Sequence, residues 1–228
     1  MTPPPSAPFT AGERLRRAEF HARYLLTPED FRAKLVGGVV HLPWRRTWFH
    51  GTRQSGLIHL FTRYDMETPG VEALGRTTIL LDDESEVEPD GCVYMKPSFR
   101  GRVRLEDGYL AGAPELVAEI ADPHTEKLDS VAKLRAYKQA GVIEYLLILS
   151  TPPRVRWFIR HEGRLADQAI PGDGVLPVRS FPGLWLDTAA LLANDLPQVV
   201  ATLQRGLATP EHAAFVVLLA SRRQGPTP

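Results

Sequence analysis

Apolar positions change their period several times along this chain, and each change marks an element. Over residues 13–26 and 28–35 their spacing suits helices, and Thr27-Pro28-Glu29 offers a capping residue followed by proline at the first helical position. Gly37-Gly38 ends the second of these, and Val39-Val40-His41-Leu42 reads as a strand. Trp48, Leu57, Leu60, Phe61 and Tyr64 recur near the helical period, which predicts a helix over 48–64 with one face against a sheet. Short apolar runs at 77–81, 92–95, 116–121 and 145–149 predict strands. Residues 98–114, with Gly101, Gly108 and Gly112, read as a long loop. Val131, Leu134 and Tyr137 define a helix over 129–140 that stops at Gly141. Further strands are expected at 154–160, turning at His161-Glu162-Gly163, and at 184–186. Helices are expected at 188–192, 195–206 and 210–222. No internal repeat is visible.

Length and composition fit one domain with extensions: 228 residues, 43% apolar, supply enough for a single packed core. The Pro-rich residues 1–12 are expected to be a flexible arm, with the folded domain over 13–192 and a helical C-terminal extension over 193–228. Lys+Arg and Asp+Glu both number 27, so no net basic field draws the chain to nucleic acid, although a local basic groove is compatible with neutrality. The lone Cys92 excludes an intrachain disulfide and a thiolate zinc cluster, which suits a reducing cytoplasm. The N-terminal residues carry neither a basic stretch nor an apolar one of the export type, and no apolar run reaches spanning length, so no membrane association is expected.

Three separated residues carry the candidate chemistry. Asp90 follows Pro89 and precedes an apolar strand, where a short acid also serves as a turn-former. Glu119 interrupts the run 116–121. With Leu116, Ala118 and Ile120 on one strand face, Val117 and Glu119 share the other, and a charge there needs an ionic partner or a metal. Lys133 lies four residues after Asp129 on the expected helix, so an i,i+4 ion pair competes with a role at a site. Two carboxylates can hold a hard divalent cation, and a lysine can offset charge developing on phosphate. His50 and His124 are within reach of such a site or serve as ordinary packing groups. The acidic run 82–88 reads as a solvated loop. Arg100, Arg102 and Arg104 share a side if extended and either follow a phosphate backbone or face solvent on a mobile loop. Trp157, Phe158 and Trp185 suit core positions.

The order of these segments resembles the Uma-type family of restriction-endonuclease-like proteins, a branch of the PD-(D/E)XK nuclease superfamily. The matching stretches are Leu81-Asp-Asp-Glu-Ser-Glu-Val-Glu-Pro-Asp90, Gly112-Ala-Pro-Glu-Leu-Val-Ala-Glu119-Ile, Asp129-Ser-Val-Ala-Lys133 through Gly141-Val-Ile-Glu-Tyr145, and Phe181-Pro-Gly-Leu-Trp-Leu186. The resemblance implies a mixed α/β fold, a curved mixed sheet flanked by helices. It also implies Mg²⁺ or Mn²⁺ on Asp90, Glu119 and the backbone carbonyl of Ile120. The superfamily lysine two residues after the second acid is Ala121 here, and the branch takes it from the following helix, as Lys133. Where the family has a glutamate in its first core helix this chain has Lys34, which repels a cation if it points inward and otherwise contacts phosphate or solvent. Asp122 stands in the altered Asp122-Pro-His-Thr125 segment as a third carboxylate that could compensate. The implied activity is metal-dependent endonucleolytic hydrolysis of nucleic acid, with DNA as the expected partner and a homodimer plausible for duplex cutting. The alternatives are a catalytically impaired nucleic-acid or protein-binding module and an enzyme acting on a small phosphorylated substrate.

Overall fold

In the computed structural model, which describes residues 8–223, the chain opens with α1 (Arg17–Tyr24) and the hairpin β1 (Lys34–Val36) and β2 (Val39–His41). The long α2 (Trp48–Glu67) is followed by β3 (Val71–Leu74), β4 (Ile79–Asp82), β5 (Ser85–Val87), β6 (Gly91–Met95), β7 (Arg104–Glu106), β8 (Tyr109–Ala111) and β9 (Leu116–Ala121). A π-helical turn, Leu128–Lys133, runs into α3 (Leu134–Ala140). After it come β10 (Glu144–Ser150), β11 (Pro153–His161), β12 (Arg164–Gln168), β13 (Val175–Pro177) and β14 (Trp185–Asp187). Helices α4 (Thr188–Ala193), α5 (Leu196–Leu207) and α6 (Pro210–Arg222) complete the described chain.

The architecture is mixed α/β with mixed sheets flanked by helices, as expected, its strands lying in two six-stranded sheets, β2-β1-β5-β4-β8-β7 and β12-β11-β10-β9-β6-β3, with β13 and β14 as a separate ribbon. β9 lies inside the second sheet, parallel to β10 and antiparallel to β6. The crossover from β9 to β10 carries the π turn and α3, the usual way to join parallel neighbours. Alternation along β9 divides the interior. Leu116, Ala118 and Ile120 face a cluster built with Leu57, Leu60 and Phe61 of α2 and the C-terminal helices. Val117 and Ala121 face a second cluster shared with α3 and the first sheet. Val199, Leu203, Phe215 and Leu219 belong to the first cluster, so α5 and α6 complete that core.

Several expected elements differ. Residues 28–35 form no helix: Pro28 opens a turn closed by the Phe31 N–H, and Lys34 to Val36 pair with β2 across a turn in which Gly37 and Gly38 both take positive φ. That two-glycine turn dictates a hairpin. The expected loop 98–114 contains the β7–β8 hairpin, turning at Asp107-Gly108, also with positive φ at both residues. Its edge strand carries charge at Arg104 and Glu106 and leaves Leu105 exposed, so no buried apolar alternation marks it. The acidic run is not a solvated loop, because Ser85–Val87 is a buried strand whose Glu86 meets His21 at 3.0 Å. Inside the expected arm, Phe9 is buried against Phe20 and Phe31, and the Gly12 N–H donates to the Val40 carbonyl; residues 1–7 of that arm lie outside the described residues. Among the described residues no helix is long and apolar enough to cross a membrane.

Candidate active site

Strand parity sends Glu119 to the α3 side of β9, where burial is nearly complete. Its Oε2 lies 2.8 Å from the Lys133 ammonium, and its Oε1 accepts from the Tyr137 hydroxyl at 2.6 Å. Lys133 also lies 2.7 Å from Asp129 Oδ1, so it pairs within its own helix as well as with the strand. Asp129 and Lys133 sit in the π turn, a distortion frequent at functional sites. Burial disfavours the Lys133 charge, but Asp129 and Glu119 outweigh it and hold the ammonium above the ordinary lysine range. Burial pushes the Glu119 carboxyl up, against the pull of Lys133 and Lys34. One ammonium is shared by two buried carboxylates.

Asp90 immediately precedes β6. The register that pairs Gly91 with Ala118 brings Asp90 across from Glu119, just before β6 begins. One Asp90 oxygen accepts from the Ile120 N–H at 2.9 Å. The other lies 3.0 Å from His50 Nε2 and accepts from Gln54 Nε2 at 3.0 Å, with Arg46 at 3.5 Å. Burial opposes ionisation here too, yet the His50 hydrogen bond and charge, followed by Lys133 and Lys34, hold the Asp90 carboxyl at about 2. Within a strand the N–H and C=O of one residue point to the same side. The Ile120 carbonyl therefore faces the edge that Asp90 occupies.

Asp90, Glu119, Ile120 and Lys133 meet on one cleft of about 250 Å³. Lys34 also lines it, from β1 rather than from a helix, and donates to the Glu88 carbonyl at 3.0 Å. Burial and then Lys133 lower its pKa, against the pull of Glu119 and Asp90. Asp122 is buried at the end of β9 and accepts from the Thr47 hydroxyl at 2.9 Å. His124 lines the cleft under Trp44, their rings 4.6 Å apart. Arg100, Arg102 and Arg104 do not line it: Arg102 donates to the Gly141 carbonyl and Arg104 pairs with Glu106. Trp157 is core, its indole donating to Glu144. The sequence carries no site signal for Gln54 or Arg46, and marks Tyr137 only as an apolar position of its helix. Only the i,i+4 step from His50 to Gln54 on one helix face hints at two of the partners that grip Asp90.

Among the described residues no three His, Cys, Asp or Glu side chains form a metal cage. The donors present are hard oxygens: two buried carboxylates, one held ionised and the other sharing its ammonium with Asp129, beside a strand-end carbonyl. They fit a small divalent cation that keeps most of its water and takes one or two carboxylates from the protein.

A mixed α/β core with mixed sheets flanked by helices places the chain in the restriction-endonuclease-like class. Within it, the chain belongs to the Uma2 family, described as "Putative restriction endonuclease", whose profile matches residues 17–189. Its fold is similar to the 1.96 Å crystal structure of a "putative nuclease belonging to DUF820" from Anabaena variabilis ATCC 29413. That likeness has a TM-score of 0.61 and 19% identity, over 76% of this chain and 97% of the other. No curated protein matches the chain.

Proposed function

We propose that this chain is a metal-dependent endonuclease that hydrolyses phosphodiester bonds in nucleic acid, DNA first among candidates, within a reducing cytoplasm. The observation that carries the reading is the convergence of Asp90, Glu119, Ile120 and Lys133 on one cleft. Asp90 and Glu119, with the Ile120 carbonyl, would hold Mg²⁺ or Mn²⁺. When bound, such a cation acidifies a water and offsets phosphate charge. His50 and Gln54 fix the Asp90 carboxylate from α2, and the Ile120 N–H holds its second oxygen. Tyr137 orients Glu119, while Asp129 aims the Lys133 ammonium, which is placed to stabilise charge on a phosphate oxygen. One cleft per chain serves one strand, so cutting both strands of a duplex would call for two copies.

The test is incubation of the protein with plasmid, single-stranded DNA and RNA in Mg²⁺, Mn²⁺ or EDTA, beside Asp90→Asn. Cleavage that requires both the cation and Asp90 is expected, with the variant reduced by at least about 10²-fold and its circular dichroism unchanged. Equal cleavage by the variant would sink the assignment. One observation favours a second reading, a binding module without catalysis: the ammonium of Lys34 lines the cleft where the family has a carboxylate. Calorimetric titration with Mn²⁺ separates the two, since a module that has lost its site takes up no ion that Asp90→Asn abolishes.

A further inference from the structure

The seven residues Leu42 to Trp48, between β2 and the first turn of α2, are all exposed, and they include two tryptophans and two arginines. Trp44 is 59% exposed and Trp48 74%. Large apolar rings left in water on a folded surface point to something that covers them. The segment is nonetheless tied to the candidate site at three points. Trp44 lies on the His124 ring, Arg46 approaches Asp90, and the Thr47 hydroxyl donates to Asp122. Trp44 therefore stands at the rim of the cleft, over the chain that leaves β9.

Charge at this cleft is layered. Asp90, Glu119, Asp122 and Asp129 are buried at its base, whereas Arg32, Arg45, Arg46 and Arg76, the last paired with Glu88, are exposed around its mouth. The chain as a whole is neutral, so this basic rim is a local feature rather than a reflection of net charge. A cationic rim bearing an exposed aromatic face is the combination that holds a single nucleic-acid strand, the cations following the phosphates and the ring stacking on a base. A paired base has both faces covered by its neighbours, so only an unpaired one can stack on Trp44.

We infer that Trp44, backed by His124 and flanked by Arg45 and Arg46, is a stacking platform for an unpaired base, and that the strand taken into this cleft is single-stranded or locally melted. The inference rests on the reading above only in taking nucleic acid as the ligand, and binding tests it without cleavage. Labelled oligothymidylate and oligouridylate of about twelve nucleotides, an abasic strand of the same length and a hairpin duplex are titrated in EDTA. Anisotropy is read for the wild type, Trp44→Ala and Trp44→Phe, with cleavage in Mn²⁺ measured in parallel.

The expected result is tighter binding of the unpaired strands than of the duplex or the abasic strand. Trp44→Ala should lose about tenfold or more on the base-bearing strands, Trp44→Phe should restore most of it, and duplex binding should not move. The thymidylate and uridylate arms report whether the strand is DNA or RNA. Unchanged affinity in Trp44→Ala overturns the platform even if metal-dependent cleavage is intact. Binding of the duplex alone, or of no oligonucleotide, overturns it as well. Trp44-dependent binding by a wild type that cuts nothing supports the platform while the nuclease reading fails.

Discussion

Lys133 is the residue on which the interior of the site depends. Its ammonium is the only cation within ion-pair distance of Glu119 or Asp129 among the described residues, and both carboxylates are buried. Removing one partner of a buried ionic group leaves the others desolvated without compensation, at a cost of about 3–5 kcal/mol. Lys133→Met is accordingly expected to lower the unfolding free energy by about that amount in a urea titration, while Lys133→Arg loses less. A loss below about 1 kcal/mol for Lys133→Met would mean that the carboxylates are hydrated and the pairs are surface-like. The sequence allowed Glu119 and Lys133 to be picked out because each breaks a local pattern: a charge inside an apolar strand, and a cation spaced from Asp129 on a helix. It was silent on Tyr137, which fits an apolar helix face as well as phenylalanine would and reveals its polar end only through the 2.6 Å bond to Glu119. His50 stands open in the sequence between a site role and packing, and Gln54 gives no signal of its own, because Asp90 is distant from both along the chain and only the docking of α2 brings them together.

Elements differ in how much of their environment is written locally. β9, α2 and α6 were legible because burial imposes a mostly apolar run or a sustained helical period on each. β1, β5 and β7 were not, being three-residue strands whose identity depends on partners elsewhere in the first sheet. The packing of α5 is another case in which one position decides an element's place. A Cβ on Gly206 would lie 2.3 Å from the Gly183 carbonyl oxygen and 2.7 Å from the Trp185 ring, so the helix approaches the chain entering β14 as closely as it does only because that residue is glycine. In an isolated helix Gly→Ala is stabilising, but here backbone must move to admit the methyl group. Overpacking of this kind costs about 1–3 kcal/mol, so Gly206→Ala is expected to be destabilising despite the better helix former. Thermal denaturation decides the sign. A raised midpoint would show that α5 slides along β14 without loss.

At the scale of the molecule, two apolar clusters lie on opposite faces of the second sheet, and Cys92 on β6 faces the one between the sheets. The thiol is 1% exposed, and burial pushes its pKa up to about 12. Both conditions for attack are therefore missing in the native state, since the thiolate is the nucleophile and a reagent cannot reach it. Labelling requires an opening that removes the first sheet and α3 from β6. Because that cluster also carries Val117, Tyr145 and Leu147 of the two neighbouring central strands, such an opening exposes the middle of the second sheet. Ordinary domain stabilities of about 5–15 kcal/mol then imply native labelling at least about 10³-fold slower than in the unfolded chain. The free energy obtained from that ratio should equal the one from urea unfolding. This is a demanding equality, because the first sheet is held partly by three-residue strands and charged edges, the features that favour local opening. Labelling through an opening several kcal/mol cheaper than global unfolding would show the first sheet and α3 lifting as a unit of their own. The floor of the cleft, where Lys133 of the π turn meets Glu119, would then be the boundary along which the molecule first comes apart.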